Sequence, residues 1–391
     1  MSQCTGYAST VYRGDTVPKI SRKTAAWVSG AVIAVGGATA GIVAATTGGG
    51  PGANHHNTAT ARHAAAAKPV PLRLVSISPA DGTREANGAN FITVTYNEPL
   101  PATAPLPVLK PDIAGTWQRS GDTAWFVPAS GFPAHTKVTV TWADPGGTTD
   151  PSASSSFTTG AYSTLRLQEI LAQLGYLPLT YTPAAGEAVV PGSAAAQLSA
   201  AYNPPAGTFN WQRGYPSQLR SFWEQGQANT IDRGAITAFE ADHGMTTDGV
   251  AGSAVWAALL EAAAKDQRNT HGYSYAIASQ HIPETLTIWH DGKQVFSSPA
   301  NTGISVAPTP VGTFPVYEKL PYQVMQGTNP DGSHYADPVQ WVSYFSGGSA
   351  VHYISRGYYG YPQSLGCVEL PYSAAERAYP YLPYGTLVTV T

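Results

Sequence analysis

The stretch Ser364-Leu365-Gly366-Cys367-Val368-Glu369 decides how the last third of this chain is read. Cys367 is one of two cysteines in 391 residues, and the other, Cys4, precedes a stretch without charged side chains. If that stretch crosses or enters a membrane, the two thiols end in different compartments and cannot pair. A thiol outside the cell that forms no disulfide is an oxidation hazard, so a structural role explains it poorly. The ordinary alternative is a small buried hydrophobe. A sulfur kept available for nucleophilic attack accounts better for its surroundings.

Those surroundings are β-rich over 271–391. Thr285–His290 and Lys293–Ser297 flank Asp291-Gly292, a pair suited to the positive φ angles of a tight hairpin turn. Asn301-Thr302-Gly303 and Thr309-Pro310-Val311-Gly312-Thr313-Phe314 follow, and Trp341–Phe345 leads to Ala350-Val351-His352. Attack on an amide carbonyl requires thiolate, whereas an ordinary thiol, with pKa about 8.5, is mostly protonated at neutral pH. An imidazole within reach removes that proton and later passes it to the leaving amine. His352 lies fifteen residues upstream, room for a strand, a loop and a return. The ordinary alternative for His352 is a satisfied core histidine at a strand end. The tetrahedral oxyanion needs donors, and backbone N–H groups at Gly366 and Cys367 are the natural supply; Gly366 lets the main chain approach closely.

Thr-Gly, Thr-Pro-x-Gly-x-Phe, a strand ending in His and Ser-x-Gly-Cys-Val occur here in one order. That ordered set resembles the L,D-transpeptidase, or YkuD-like, catalytic domain and covers nearly the whole last third. The resemblance implies that Cys367 attacks the carbonyl between the third, L-centred diamino acid and the terminal D-alanine of a tetrapeptide stem. D-Ala leaves, a thioester remains, and the side-chain amine of a neighbouring stem resolves it into a 3→3 cross-link. It further implies a His352 ring held by the Tyr353 backbone carbonyl, and acylation of the sulfur by carbapenems. Resolution by water would instead make an L,D-carboxypeptidase. Ser364 and Leu365, near the sulfur in sequence, are expected to bind substrate together with Met325, Tyr322 and Trp341, the last three as apolar walls on a loop bordering the cleft.

Two positions depart from the family pattern. Leu365 stands where His, Asn or Arg is frequent, and Glu369 where Arg is usual. A charge swap at a partner explains Glu369, with Arg356 and Arg377 as candidates; a solvent-facing position and a weakened enzyme are the alternatives. His334, Asp337 and His352 admit a zinc reading, which leaves Cys367 unexplained. The expected chemistry needs neither metal nor cofactor.

Upstream, 161–268 reads as helical. Leu167, Ile170, Leu171 and Leu174 fall on one helix face, and Gly175 can end that helix. A Pro/Gly-rich insertion precedes Arg233–Glu240, then Asp248-Gly249-Val250-Ala251-Gly252 and a face of Val255, Trp256, Leu259 and Leu260. This segment resembles the three-helix peptidoglycan-binding domain, with Glu240 where Gln is usual. Asp248 needs no role beyond turn and helix entry. Between 70 and 160, Phe91–Tyr96 alternates in period two, and Thr123–Val127 and Lys137–Trp142 follow at Pro- and Gly-marked intervals. The pattern predicts a small β-sandwich, with a resemblance to bacterial immunoglobulin-like modules that implies a spacer.

Residues 24–61 carry no Asp, Glu, Lys or Arg, behind Lys19, Arg22 and Lys23. About 20 apolar residues suffice to span a bilayer, and the positive flank puts 1–23 inside. Residues 24–47 therefore read as a membrane anchor, or as a cleavable signal ending near Ala38-Thr39-Ala40. Residues 48–69 read as a flexible tether, its His55, His56 and His63 solvated. The remainder is expected outside the cytoplasmic membrane, in the wall. A net charge of −3 with 12% charged residues argues against nucleic acid as a partner. The whole is expected to be multidomain and mainly β: a β-sandwich spacer, a three-helix peptidoglycan-binding-like domain and a β-rich YkuD-like domain at 271–391. Its expected partners are stem peptides and glycan of peptidoglycan, with the membrane through the N-terminal segment. A non-catalytic wall-binding scaffold is the alternative from a different class.

Overall fold

The computed structural model describes residues 72–142, 153–187 and 189–391. The expected cytoplasmic segment, anchor or signal, and tether (1–69) lie outside the described residues. Among the described residues no helix is long and apolar enough to cross a membrane.

Short strands come first: β1 (Leu74–Ser78), β2 (Ile92–Tyr96), β3 (Val108–Lys110), β4 (Gly115–Ser120), β5 (Thr123–Pro128), β6 (Lys137–Thr141) and β7 (Ser154–Thr158). They form one antiparallel sheet in the order β1-β2-β5-β4 and another in the order β3-β6-β7. The alternation in β2 buries Ile92, Val94 and Tyr96 and turns Thr93 and Thr95 the other way. Ile92, Val94 and Phe126 from the first sheet join Leu109, Val138, Val140 and Phe157 from the second in one core.

The next segment runs α1 (Thr164–Gln173), β8 (Leu179–Pro183), α2 (Ala194–Tyr202), β9 (Gly207–Trp211), α3 (Ser217–Arg220), α4 (Thr230–Asp242) and α5 (Ser253–Lys265). Leu167, Ile170 and Leu171 of α1 pack with Ile231, Ile236 and Phe239 of α4 and Leu259 and Ala262 of α5. Each fully buried Leu, Ile or Phe contributes roughly 1.5–3 kcal/mol. Asn229 caps α4 and Asp232 answers it, a reciprocal box that satisfies the first orphan amides. The insertion is folded: β8 and β9 pair as a two-stranded antiparallel sheet with α2 between them in sequence, and Leu198 and Ala201 of α2 enter the helical core.

The last segment holds β10 (Ser274–Ser279), β11 (Thr285–His290), β12 (Lys293–Pro299), β13 (Gly312–Pro315), β14 (Glu318–Thr328), β15 (His334–Ser346), β16 (Ser349–Tyr353), β17 (Val368–Leu370), α6 (Tyr372–Ala378) and β18 (Leu387–Val390). One sheet has the order β12-β11-β10-β18-β13, the other β14-β15-β16-β17. Leu286, Ile288, Val388 and Val390 from the first meet Phe345, Val351 and Val368 from the second, with Ala374, Ala375 and Ala378 of α6 in the same core. Asp291 and Gly292, at φ 46° and 73°, close the β11–β12 hairpin. The expected loop before His352 is instead the long antiparallel β14–β15 hairpin. Pro338 lies beyond the last β15–β16 pair, Gln340 with Tyr353, where that side of β15 has no paired strand and a missing N–H is tolerated.

The helical segment and the last segment share a core. Tyr273, Tyr275 and Leu387 are buried among the helical side chains, and Tyr215 donates its hydroxyl to the Tyr273 carbonyl at 2.8 Å. Backbones touch where Gly214 meets the hairpin turn: a Cβ at Gly214 would lie 1.9 Å from the Gly292 carbonyl oxygen.

Candidate active site

The two chemically suspect side chains come together through strand register. β16 and β17 are parallel, with Val351 opposite Val368, His352 opposite Glu369 and Tyr353 opposite Leu370. Side chains alternate along a strand, so Cys367, two residues before Glu369, is on the face that His352 shares with Glu369. Sulfur and imidazole both line one cleft of about 400 Å³, with Met325, Tyr335, Asp337, Val339 and Leu365.

His352 is 2% exposed. Its Nδ1 lies 3.1 Å from the Tyr353 carbonyl oxygen. An Nδ1–H donated there leaves Nε2 with its lone pair. Burial pushes the imidazole below its ordinary value of 6.5, against the opposing pull of the Glu369 charge and the Tyr353 carbonyl. The ring is therefore neutral at neutral pH, the form a general base requires.

Cys367 is 4% exposed, and its thiol donates to the Gly348 carbonyl at 3.8 Å. The loop carrying it is held from behind. Ser364 Oγ donates to the Cys367 carbonyl at 2.6 Å and Thr309 Oγ1 to the same oxygen at 3.3 Å. Gly303 N–H in turn donates to Thr309 Oγ1 at 2.8 Å. Gly366 has φ 114°, a backbone setting that other residues adopt only with strain. The Thr302 amide and hydroxyl both donate to the buried Glu284 carboxylate, at 2.6 and 2.8 Å. Asn301 joins its main chain to Glu369 in both directions, at 2.9 and 2.8 Å. Glu284 and Asn301 were missed: their partners are distant in sequence, and only the Thr-Gly dipeptide hinted at a fixed turn.

Glu369 is buried and gripped by Arg356, Nε donating to Oε2 at 2.8 Å and Nη2 to Oε1 at 2.5 Å. Arg377, the other candidate partner, lies instead over the Phe296 ring at 5.7 Å.

Ser364, Leu365 and Met325 line the cleft with the sulfur. Three expectations need correction. Trp341 faces away, among Tyr372, Tyr379 and the core beneath α6. The cause is a β-bulge between Gln340 and Ser343, with Trp341 at φ 60°, which breaks the alternation and puts Val339 and Val342 in one cluster. Tyr322 is exposed; three residues from the buried Met325 on a regular stretch of β14, it falls on the opposite face. The Gly366 N–H, expected to await an oxyanion, donates to Ser364 Oγ at 3.1 Å. His334, Asp337 and His352 do not converge: among the described residues no group of three His, Cys, Asp or Glu side chains is placed to hold a metal ion.

Residues 275–390 match the family model of the YkuD L,D-transpeptidase catalytic domain. No curated protein compared with the chain matches it. Among solved structures, an L,D-transpeptidase from Mycobacterium smegmatis is 17% identical with a TM-score of 0.28, over 82% of this chain and 100% of that one. An L,D-transpeptidase from Mycobacterium tuberculosis H37Rv is 17% identical, TM-score 0.26, over 81% and 97%. The catalytic domain of the E. faecium L,D-transpeptidase acylated by ertapenem is 26% identical, TM-score 0.28, over 31% and 98%. On the strength of the family match, residues 275–390 are a YkuD L,D-transpeptidase catalytic domain, and the chain that carries them is an L,D-transpeptidase.

Proposed function

We propose that this enzyme forms 3→3 peptidoglycan cross-links through a thioester on Cys367, with His352 as general base and then general acid. In the first half-reaction the Sγ proton moves to His352 Nε2 and sulfur attacks the carbonyl before the terminal D-alanine. The C–N bond breaks, D-Ala departs as its amine with the proton returned by His352, and the acyl group stays on sulfur. In the second, the side-chain amine of a neighbouring stem attacks the thioester, restoring the thiol and making the new amide. Water in place of that amine gives L,D-carboxypeptidase action on the same intermediate.

The reading is carried by the common face of β16 and β17, which turns His352 and Cys367 into one cleft. The neutral, Tyr353-oriented imidazole suits proton removal. Gly366 N–H joins the oxyanion donors once it gives up Ser364 Oγ. Met325 and Leu365 supply apolar walls, and Ser364 braces the Cys367 loop. The proposal extends to the rest of the chain: an N-terminal anchor or signal, a tether, an immunoglobulin-like spacer and a wall-binding helical unit would carry the cleft into the wall.

Intact mass after incubation with ertapenem tests the chemistry. One adduct per chain, lost in Cys367→Ala, is expected. A folded protein that takes no adduct yet sediments with sacculi overturns the enzyme reading in favour of a scaffold.

A further inference from the structure

The short connection between β15 and β16 is Gly347-Gly348, with Ser346 paired to Ser349 across it. Its two carbonyls are engaged by different side chains. Gly347 accepts the hydroxyl of Tyr317, and Gly348 accepts the Cys367 thiol at 3.8 Å. Tyr317 is itself fixed at both main-chain groups: its N–H donates to the Tyr344 carbonyl at 2.9 Å, and its carbonyl accepts the Thr247 hydroxyl at 2.9 Å. Its ring rests near Tyr344, 6.3 Å between centroids, against the cluster that contains Cys367. Thr247 belongs to the turn between α4 and α5. A chain of contacts therefore runs from the helical segment through Tyr317 and the glycine turn to the sulfur.

We infer that Tyr317 is a positioning residue for the nucleophile: by clamping the Gly347 carbonyl it fixes the turn so that the Gly348 carbonyl faces Sγ. An oxygen that accepts S–H stabilises the neutral thiol and disfavours thiolate. The resting sulfur is thus held protonated and aimed. It gives up the Gly348 contact only when its proton passes to His352 Nε2. This inference rests on the reading of Cys367 as nucleophile.

The test is the pH dependence of iodoacetamide alkylation of the full chain in a Cys4→Ser background, where only Cys367 remains. Tyr317→Phe keeps the ring and removes the clamp. Its alkylation midpoint should fall by roughly half to one pH unit, the worth of one ordinary hydrogen bond. A packing role alone would change the plateau rate or the melting temperature and leave the midpoint in place, which overturns the inference. If Tyr317→Phe does not fold, Thr247→Val carries the test. It frees the Tyr317 carbonyl, and its midpoint must move downward by a smaller amount; an unmoved midpoint again overturns the inference. The two readings fail separately, because iodoacetamide reports thiolate whatever the enzyme does. Loss of ertapenem acylation with a shifted midpoint counts against the transpeptidation mechanism alone. Normal acylation with an unshifted midpoint counts against the role of Tyr317 alone.

Discussion

Arg356 holds the Glu369 carboxylate through two nitrogens, and Glu369 is the register partner of His352 on the adjoining strand. The carboxylate raises the proton affinity of the imidazole and the guanidinium lowers it. Beneath the larger effect of burial, the pair therefore adjusts the base with two opposed charges, and the Asp337 carboxylate adds a smaller upward pull.

Glu369→Gln removes one of those charges. Arg356 is left unopposed, so His352 becomes less basic and the acid limb of the ertapenem acylation profile should move to lower pH. The lost ion pair should also cost about 1–3 kcal/mol of stability in denaturant titrations. An acid limb that stays in place would remove Glu369 from the tuning of the base.

His352 should matter to both rate and stability. His352→Ala should slow acylation by about 10²–10⁴-fold, the usual range for loss of a general base. Because burial lowers its folded pKa below 6.5, the neutral ring contributes stability that is fully present above pH 6.5. As the pH falls below 6.5, the unfolded chain binds the proton first and that stability is lost. His352→Gln should accordingly flatten the decline of melting temperature between neutral and mildly acidic pH. An equal slope in the two proteins would contradict a buried neutral imidazole.

Met325 and Trp341 should separate binding from folding. Met325→Ala opens the cleft wall and should raise the ertapenem concentration needed for half-maximal acylation. Trp341→Phe should leave acylation kinetics near wild type while costing roughly 1–2 kcal/mol in the core beneath α6. A kinetic defect confined to the Trp341 variant would mean that the bulge does not turn its ring from the substrate.

Glu240 offers a pH test in the helical segment. It is buried, its Oε2 accepts the Gly249 N–H at 2.8 Å, and desolvation with nearby Asp248 pushes it up to about 7. A carboxyl raised in this way binds its proton more tightly in the folded state. Its contribution is present at acid pH, below the unfolded value of 4.5, and is lost as the pH rises through about 7. Glu240→Gln keeps an acceptor for Gly249 and removes the charge. The variant should unfold at higher denaturant than wild type at pH 8, with the advantage gone at pH 4.

Much of the local structure was legible because it rests on short-range rules. The alternation Phe91–Tyr96 becomes β2, Leu167, Ile170 and Leu171 form the inward face of α1, and Asp291-Gly292 closes the hairpin it suggested. The pairing of Glu369 with Arg356 was foreseeable as one of two charge swaps. What escaped depends on geometry that no window of sequence contains. Trp341 was expected as an apolar wall on a loop bordering the cleft, and a bulge in what is a strand turns it the other way. Gly366 N–H was expected to await a substrate, but Ser364 two residues earlier takes it. The strand pair and short helices of the insertion were hidden by its Pro and Gly content, and Glu284 gave no signal because its partner Thr302 is brought to it by the pairing of β11 and β12.

Tyr273, Tyr275 and Leu387 close the helical core from the β-rich side, and Gly214 meets Gly292 main chain to main chain. Recombination could not trade that helical unit for an unrelated module as a bead is changed on a string. A replacement would strand two aromatic rings in water and would need its own side-chain-free patch at the joint. A substitution on either side of the joint is therefore felt on the other.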